Sequence, residues 1–174
     1  MDTFDLPEPS GLNALLEDER ASVEIEVALV RGATDLSERD TLANMGAQEV
    51  GFCVALHERL VRGGGPVSPR VNGVVLDLLN IERYDERLSA FADHQLRIAE
   101  TLPALRGNAP DGDLRALLGD IEDAHLRSAA WCRRRASAFA ATRLLVFRGA
   151  ADGSYPDAQG SSTATNGSYA PPIE

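Results

Sequence analysis

Apolar residues recur at helical spacing in four long stretches of this chain, and glycine- and proline-rich breaks separate them. The first stripe is Leu12, Leu16, Val23, Val27 and Val30, with Ser10 as a candidate N-cap for a helix from Gly11 and Gly32 closing it. Asp35 followed by Glu38 opens a second helix in the manner of a capping box, with Leu42, Met45, Phe52, Leu56 and Leu60 on one face. The run Gly63-Gly64-Gly65-Pro66 ends it. A third helix is expected from Arg83 to Leu105, carrying Leu88, Phe91, Ile98 and Leu102. After the turn Pro110-Asp111-Gly112-Asp113, a fourth carries Leu114, Leu118, Ile121, Leu126 and Ala129. Aromatics are only 5% of the residues, and alanine and leucine dominate the apolar set, which favours helix over strand. The fold class is therefore all-α.

The first two helices are joined by a few residues and should be antiparallel neighbours. Between the second and third, residues 63–83 hold glycines, prolines and the short apolar run Val74 to Leu79, room for a turn or two of helix. The fourth pattern runs on through Phe139 to about Phe147, roughly 52 Å if unbroken at 1.5 Å per residue. It is expected either to break near Ser137 or to project, and its apolar end should pack on the bundle or on a second subunit, giving a homodimer. Three segments follow: an N-terminal lead over 1–9, a helical bundle over 10–148 and a disordered tail over 149–174.

The 174 residues carry a formal net charge of -10, and all 17 basic residues are arginines. This balance argues against nucleic acid and against an anionic membrane surface as partners. The absence of lysine excludes a Schiff-base lysine and a P-loop lysine. The acidic start, Met1-Asp2-Thr3-Phe4-Asp5, does not read as a signal peptide, and no window is long and apolar enough to span a bilayer, so a cytoplasmic location is expected.

The informative residues are polar ones on apolar stripes. Glu19 interrupts the first stripe and Glu49 the second; Glu122 and His125 sit beside Leu118 and Ile121 on the fourth. A buried charge of this kind needs a partner or a metal. The heights agree as well. Glu19 and Glu49 lie almost equally far from the first turn, within about 2 Å along the axis in an antiparallel pair. His94, Glu122 and His125 fall similarly about midway along the second hairpin. Metal ligation thus competes with ordinary core hydrogen bonding at each of these residues. Cys53, one turn beyond Glu49, is a fallback ligand or a buried free thiol. Arg133-Arg134-Arg135 is expected to face solvent or offset a helix dipole.

Glu122-Asp123-Ala124-His125 is a Glu-x-x-His run, and Leu15-Leu16-Glu17-Asp18-Glu19-Arg20-Ala21 resembles the first helix of small bacterial ferritin-like domains. The resemblance covers roughly residues 11–135. It implies two antiparallel hairpins joined by a long crossover, around a carboxylate-bridged metal pair. Carried over, Glu19, Glu49, Glu122 and His125 are ligands, with His94 a further candidate. Two positions depart from the pattern. Glu49-Val50-Gly51-Phe52 stands where the family has Glu-x-x-His, and the third helix offers His94 and Gln95 where it has a glutamate. In that topology Cys53 and Cys132 run to opposite ends, and no disulfide between them is expected. The resemblance implies iron, or manganese or zinc, with possible oxidase or oxidative-stress chemistry. The rival reading is a metal-free interaction module or an assembly cargo, acting through its last helix and its tail.

Overall fold

The computed structural model describes residues 9–151, with side chains over 10–145. The described residues form five helices and no strand: α1 (Pro9–Gly32), α2 (Leu36–Arg62), α3 (Val74–Leu79), α4 (Tyr84–Gly107) and α5 (Gly112–Ala151). The lead over 1–8, Phe147 as a packing residue and the tail from residue 152 onward lie outside the described side chains or residues.

Helix α1 begins at Pro9, so Ser10 is helical rather than the cap. Proline suits the first helical position because its missing N–H would have no partner there anyway. Gly32 is the last residue of α1 but does not adopt a left-handed conformation; among the described residues only Gly64 does, at φ 70°. Gly32 is required by close approach instead, since a Cβ there would lie 2.9 Å from the Tyr84 ring.

The start of α2 follows half of a capping box. The Glu38 N–H donates to Asp35 Oδ1 at 2.7 Å. The Glu38 carboxylate does not turn back to the cap, because it accepts from Tyr84 Oη at 2.9 Å and from Arg135 Nη2 at 2.9 Å. Arg135 also pairs with Asp35 and lies 4.7 Å over the Phe139 ring. Of the three consecutive arginines, then, Arg135 is tied to the start of α2 and Arg133 pairs with Asp93 of α4.

The long connection is anchored along α1. Asn13 Nδ2 donates to the Pro66 carbonyl at 2.8 Å, and Asn13 Oδ1 accepts from the Ser68 N–H at 2.7 Å. The Asn72 N–H reaches the Glu17 carbonyl at 3.1 Å, and Arg20 reaches the Arg70 carbonyl at 3.0 Å. Arg20 is thereby engaged with loop carbonyls. Val75 and Leu78 of the short α3 point into the core.

The first apolar cluster joins Leu12, Leu16, Leu56, Leu60, Leu102 and Leu118. The second joins Ile25, Leu29, Leu42, Leu88, Phe91 and Cys132. Each cluster takes residues from α1, α2, α4 and α5, and a band of buried polar side chains lies between the two. Residue order along the clusters sets the directions: α1 runs antiparallel to α2 and to α4, and α4 antiparallel to α5.

The stripe on α1 differs from the one read in the sequence. Its buried face is Leu12, Leu15, Leu16, Ala21, Ile25 and Leu29, whereas Val27 is 46% exposed. Small and polar residues occupy the inward positions and the valines lie at the rim, so hydrophobicity alone points to the wrong edge of the face. On α5, Leu126 is likewise exposed.

Helix α5 does not break at Ser137, whose Oγ donates to the Arg133 carbonyl at 2.9 Å within the helix. Its 40 residues span about 60 Å. The chain divides into two units after residue 141. In the second, Leu144 and Leu145 are exposed in the single chain.

Packing of this kind makes core truncations costly. Phe91→Ala should lose about 3–5 kcal/mol, because the ring is fully buried and leaves a cavity. Leu126→Ala should stay within about 0.5 kcal/mol. Urea unfolding of both variants checks this, and equal losses would contradict the assigned face of α5.

Candidate metal centre

Three ligand-bearing side chains from three helices meet in the polar band. Glu19 of α1, Glu49 of α2 and His125 of α5 each offer a ligand atom within 4.8 Å of the others. All three are buried. The α1–α2 hairpin brings the carboxylates level, since Glu19 and Glu49 lie at similar distances from its short turn. Two full turns of α5 beyond Leu118, His125 enters at the same height.

His125 Nε2 lies 2.9 Å from Glu19 Oε1. Its Nδ1 contacts Gln95 Oε1 of α4 and lies 3.6 Å from Glu49 Oε1. Gln95 Nε2 in turn donates to Ser22 Oγ at 3.2 Å. An amide oxygen at Nδ1 holds the imidazole proton on that side and leaves the Nε2 lone pair facing Glu19, the arrangement that orients metal-binding histidines. Glu19 Oε2 and Glu49 Oε2 are buried without a hydrogen-bond partner.

Burial sets the protonation of the group. Removal from water pushes the Glu19 carboxyl up to about 7, against the lowering effect of a hydrogen bond with Glu49. Glu49 rises well above the usual carboxylate range, first by burial and then by its hydrogen bond with Glu19 and that residue's charge. Burial lowers His125, and the Glu49 charge opposes this. The two carboxyls therefore hold protons that a divalent cation would displace, whereas the imidazole is already in its neutral, ligating form.

The other residues singled out in the sequence lie elsewhere. Glu122 is half-buried and paired with Arg106 Nη1 of α4 at 2.8 Å. It does not reach the group because residues three apart on a helix differ by about 60° around the axis, and His125 takes the inward direction. His94 is buried next to Gln95 but stays outside the cluster. Its Nε2 has no partner, its ring lies 6.3 Å from that of Phe91, and burial lowers it to about 4. Gln95 rather than His94 is the α4 residue that touches His125. Cys53 and Cys132 are both free. Cys53 packs beside the first apolar cluster, and burial with the charges of Glu19 and Glu49 pushes its thiol up to about 12.

Glu26 is the residue that the sequence reading missed. It is 1% exposed, and neither carboxylate oxygen has a hydrogen-bond partner. Burial, reinforced by the charge of Glu49, pushes it up to about 10. It fits because Gly46 of α2 has no side chain; a Cβ there would lie 3.2 Å from Glu26 Oε2. The available signal was spacing: Glu19, Ser22 and Glu26 repeat at three and seven residues, one helical face.

The linkage has a definite sign. Unfolded glutamates release their protons near 4.5, whereas folded Glu26 keeps its proton to about 10. The folded chain binds more protons across that window, so stability falls as pH rises. Both histidines are neutral above pH 7 and add nothing there. In chelator, stability should fall between pH 7 and 9 by about 1.4 kcal/mol per pH unit for each proton retained. Glu26→Gln should flatten that slope and raise the urea midpoint at pH 9; an unchanged slope would contradict the assignment.

No protein-family model matches the sequence, and no curated protein matches it either.

Proposed function

We propose that this chain is a ferritin-like helical protein that binds a divalent metal ion in its core through Glu19, Glu49 and His125. The observation that carries the reading is the buried group itself: two carboxyls and an imidazole within ligand reach, with two carboxylate oxygens lacking any partner. Leaving such groups unpaired costs several kcal/mol, and a cation offsets that cost by neutralising both carboxylates at once. Antiparallel α1–α2 and α4–α5 pairs, separated by the long connection over 63–83, support the ferritin-like arrangement.

Iron is the first candidate, with manganese and zinc as alternatives, because carboxylate and imidazole ligands suit all three. Three protein ligands leave coordination positions for water or a small oxidant, which is the requirement for oxidase or oxidative-stress chemistry. In that chemistry this chain would supply charge balance through Glu19 and Glu49. Gln95 would orient His125, and the apolar clusters would exclude bulk water. Glu122 belongs with Arg106 in this reading, and His94 is a neutral core histidine.

A metal-free interaction module is the second reading. Its supporting observation is that both ring nitrogens of His125 already have partners, Glu19 and Gln95. A closed network of that kind can serve fold specificity alone. A partner for the tail belongs to this reading, whereas a homodimer through the apolar end of α5 is proposed under either one.

Elemental analysis separates the two. Protein purified without a metal-affinity tag should carry near-stoichiometric iron, manganese or zinc, and the combined Glu49→Ala and His125→Ala variant should carry none. Metal-free wild type, even after anaerobic addition of ferrous iron, would leave the module reading standing.

A further inference from the structure

The three ligand residues are sealed off: Glu19 and His125 are 0% exposed and Glu49 is 2% exposed. A cation must therefore pass between side chains to reach them. Two grooves flank α2, and their chemistry differs. The α2–α5 groove is lined by Met45 and Trp131 but also by Arg127 and Arg134, whose guanidinium groups repel a cation. The α1–α2 groove, of about 350 Å³, has Val23, Val27, Ala43, Ala47 and Val50 on its walls, with Arg31 also contributing.

Glu26 also lines the α1–α2 groove. Its two oxygens have no hydrogen-bond partner, and the bare backbone at Gly46 gives its carboxylate room on the α2 side. Glu49 lies one helical turn beyond Gly46, and its Oε2 is also partnerless. Glu19 lies two turns before Glu26 on the same face of α1. The partnerless oxygens thus run from the groove to the metal centre without an arginine between them.

We propose that the α1–α2 groove is the route by which a divalent cation reaches the core, with Glu26 as the transfer ligand that passes it from the groove to Glu19, Glu49 and His125. The proposal rests on the metal-binding reading above. Apolar walls strip the cation of water, and a buried carboxylate compensates for the lost hydration at the point where the loss is greatest. Glu26 gives up its proton as it takes the cation, so its negative charge appears where the cation has lost its water.

The test is cobalt(II) uptake by the full chain after stripping with chelator, followed by visible absorbance in a stopped-flow instrument and then at equilibrium. Glu26→Gln removes the oxygen that takes the cation in exchange for its proton, and should slow uptake by at least about tenfold, the low end of what losing one supporting group costs a metal site. The equilibrium stoichiometry should match wild type. Val27→Arg places a cation on an exposed wall, where folding is not at risk, and should slow uptake as well. Arg127→Ala should leave the rate unchanged.

Wild-type rates in both Glu26→Gln and Val27→Arg would overturn the route while leaving the metal centre intact. Reduced stoichiometry in Glu26→Gln would make Glu26 a resident ligand and overturn its transfer role. A wild-type chain that takes up no cobalt at equilibrium would overturn the metal-binding reading, and the route with it.

Discussion

Three glutamates, two histidines and a glutamine lie in the interior, four of them with a partnerless polar atom (Glu19, Glu26, Glu49 and His94), and the structure is organised around that burden. Glu19, Glu26, Glu49, His94, Gln95 and His125 are all buried. Transfer of such groups from water costs several kcal/mol each unless they are neutralised or paired. The helices around them respond in kind. Two apolar clusters close the interior above and below the polar band, and each takes residues from all four long helices. The polar band is thus held by burial on both sides together with the hydrogen bonds that His125 makes with Glu19 and Gln95.

Neutralisation is the central question within that band. Without a cation, burial keeps the carboxyls protonated, and folded and unfolded chains differ in protons bound. With a cation, the same oxygens become ligands and release those protons. One group can therefore be a destabilising core feature and a functional centre, and natural sites often carry such a stability cost. The interior also has an asymmetry in access. Two arginines border one groove beside α2, whereas the other has Arg31 together with a partnerless carboxylate.

Polar contacts outside the band fix the ends of the helices. Arg135 joins Asp35 and Glu38 at the start of α2, and Tyr84 reaches Glu38 from the start of α4. Arg59 pairs with Asp111 just before α5. The connection over 63–73 is tied to Asn13, Glu17 and Arg20 of α1. These contacts set the relative heights of the helices, and hence which residues can meet in the band.

Periodicity and punctuation by themselves determined the number, order and approximate limits of the helices, because a 3.6-residue repeat and a Gly-Gly-Gly-Pro break are local properties of the chain. They also placed Glu19 level with Glu49, and His125 about midway along the second hairpin, since rise per residue is nearly constant. Rotation about each helix axis was decided only by tertiary packing. On α1 the valines lie at the rim while Ser22 and Glu26 turn inward, because close approach of α2 at Gly46 admits the carboxylate. On α5 a 60° difference sends Glu122 to Arg106 and His125 to the interior. On α4 the same geometry selects Gln95 over its neighbour His94. A single sequence states how far along a helix a side chain lies; only its neighbours decide which way it faces.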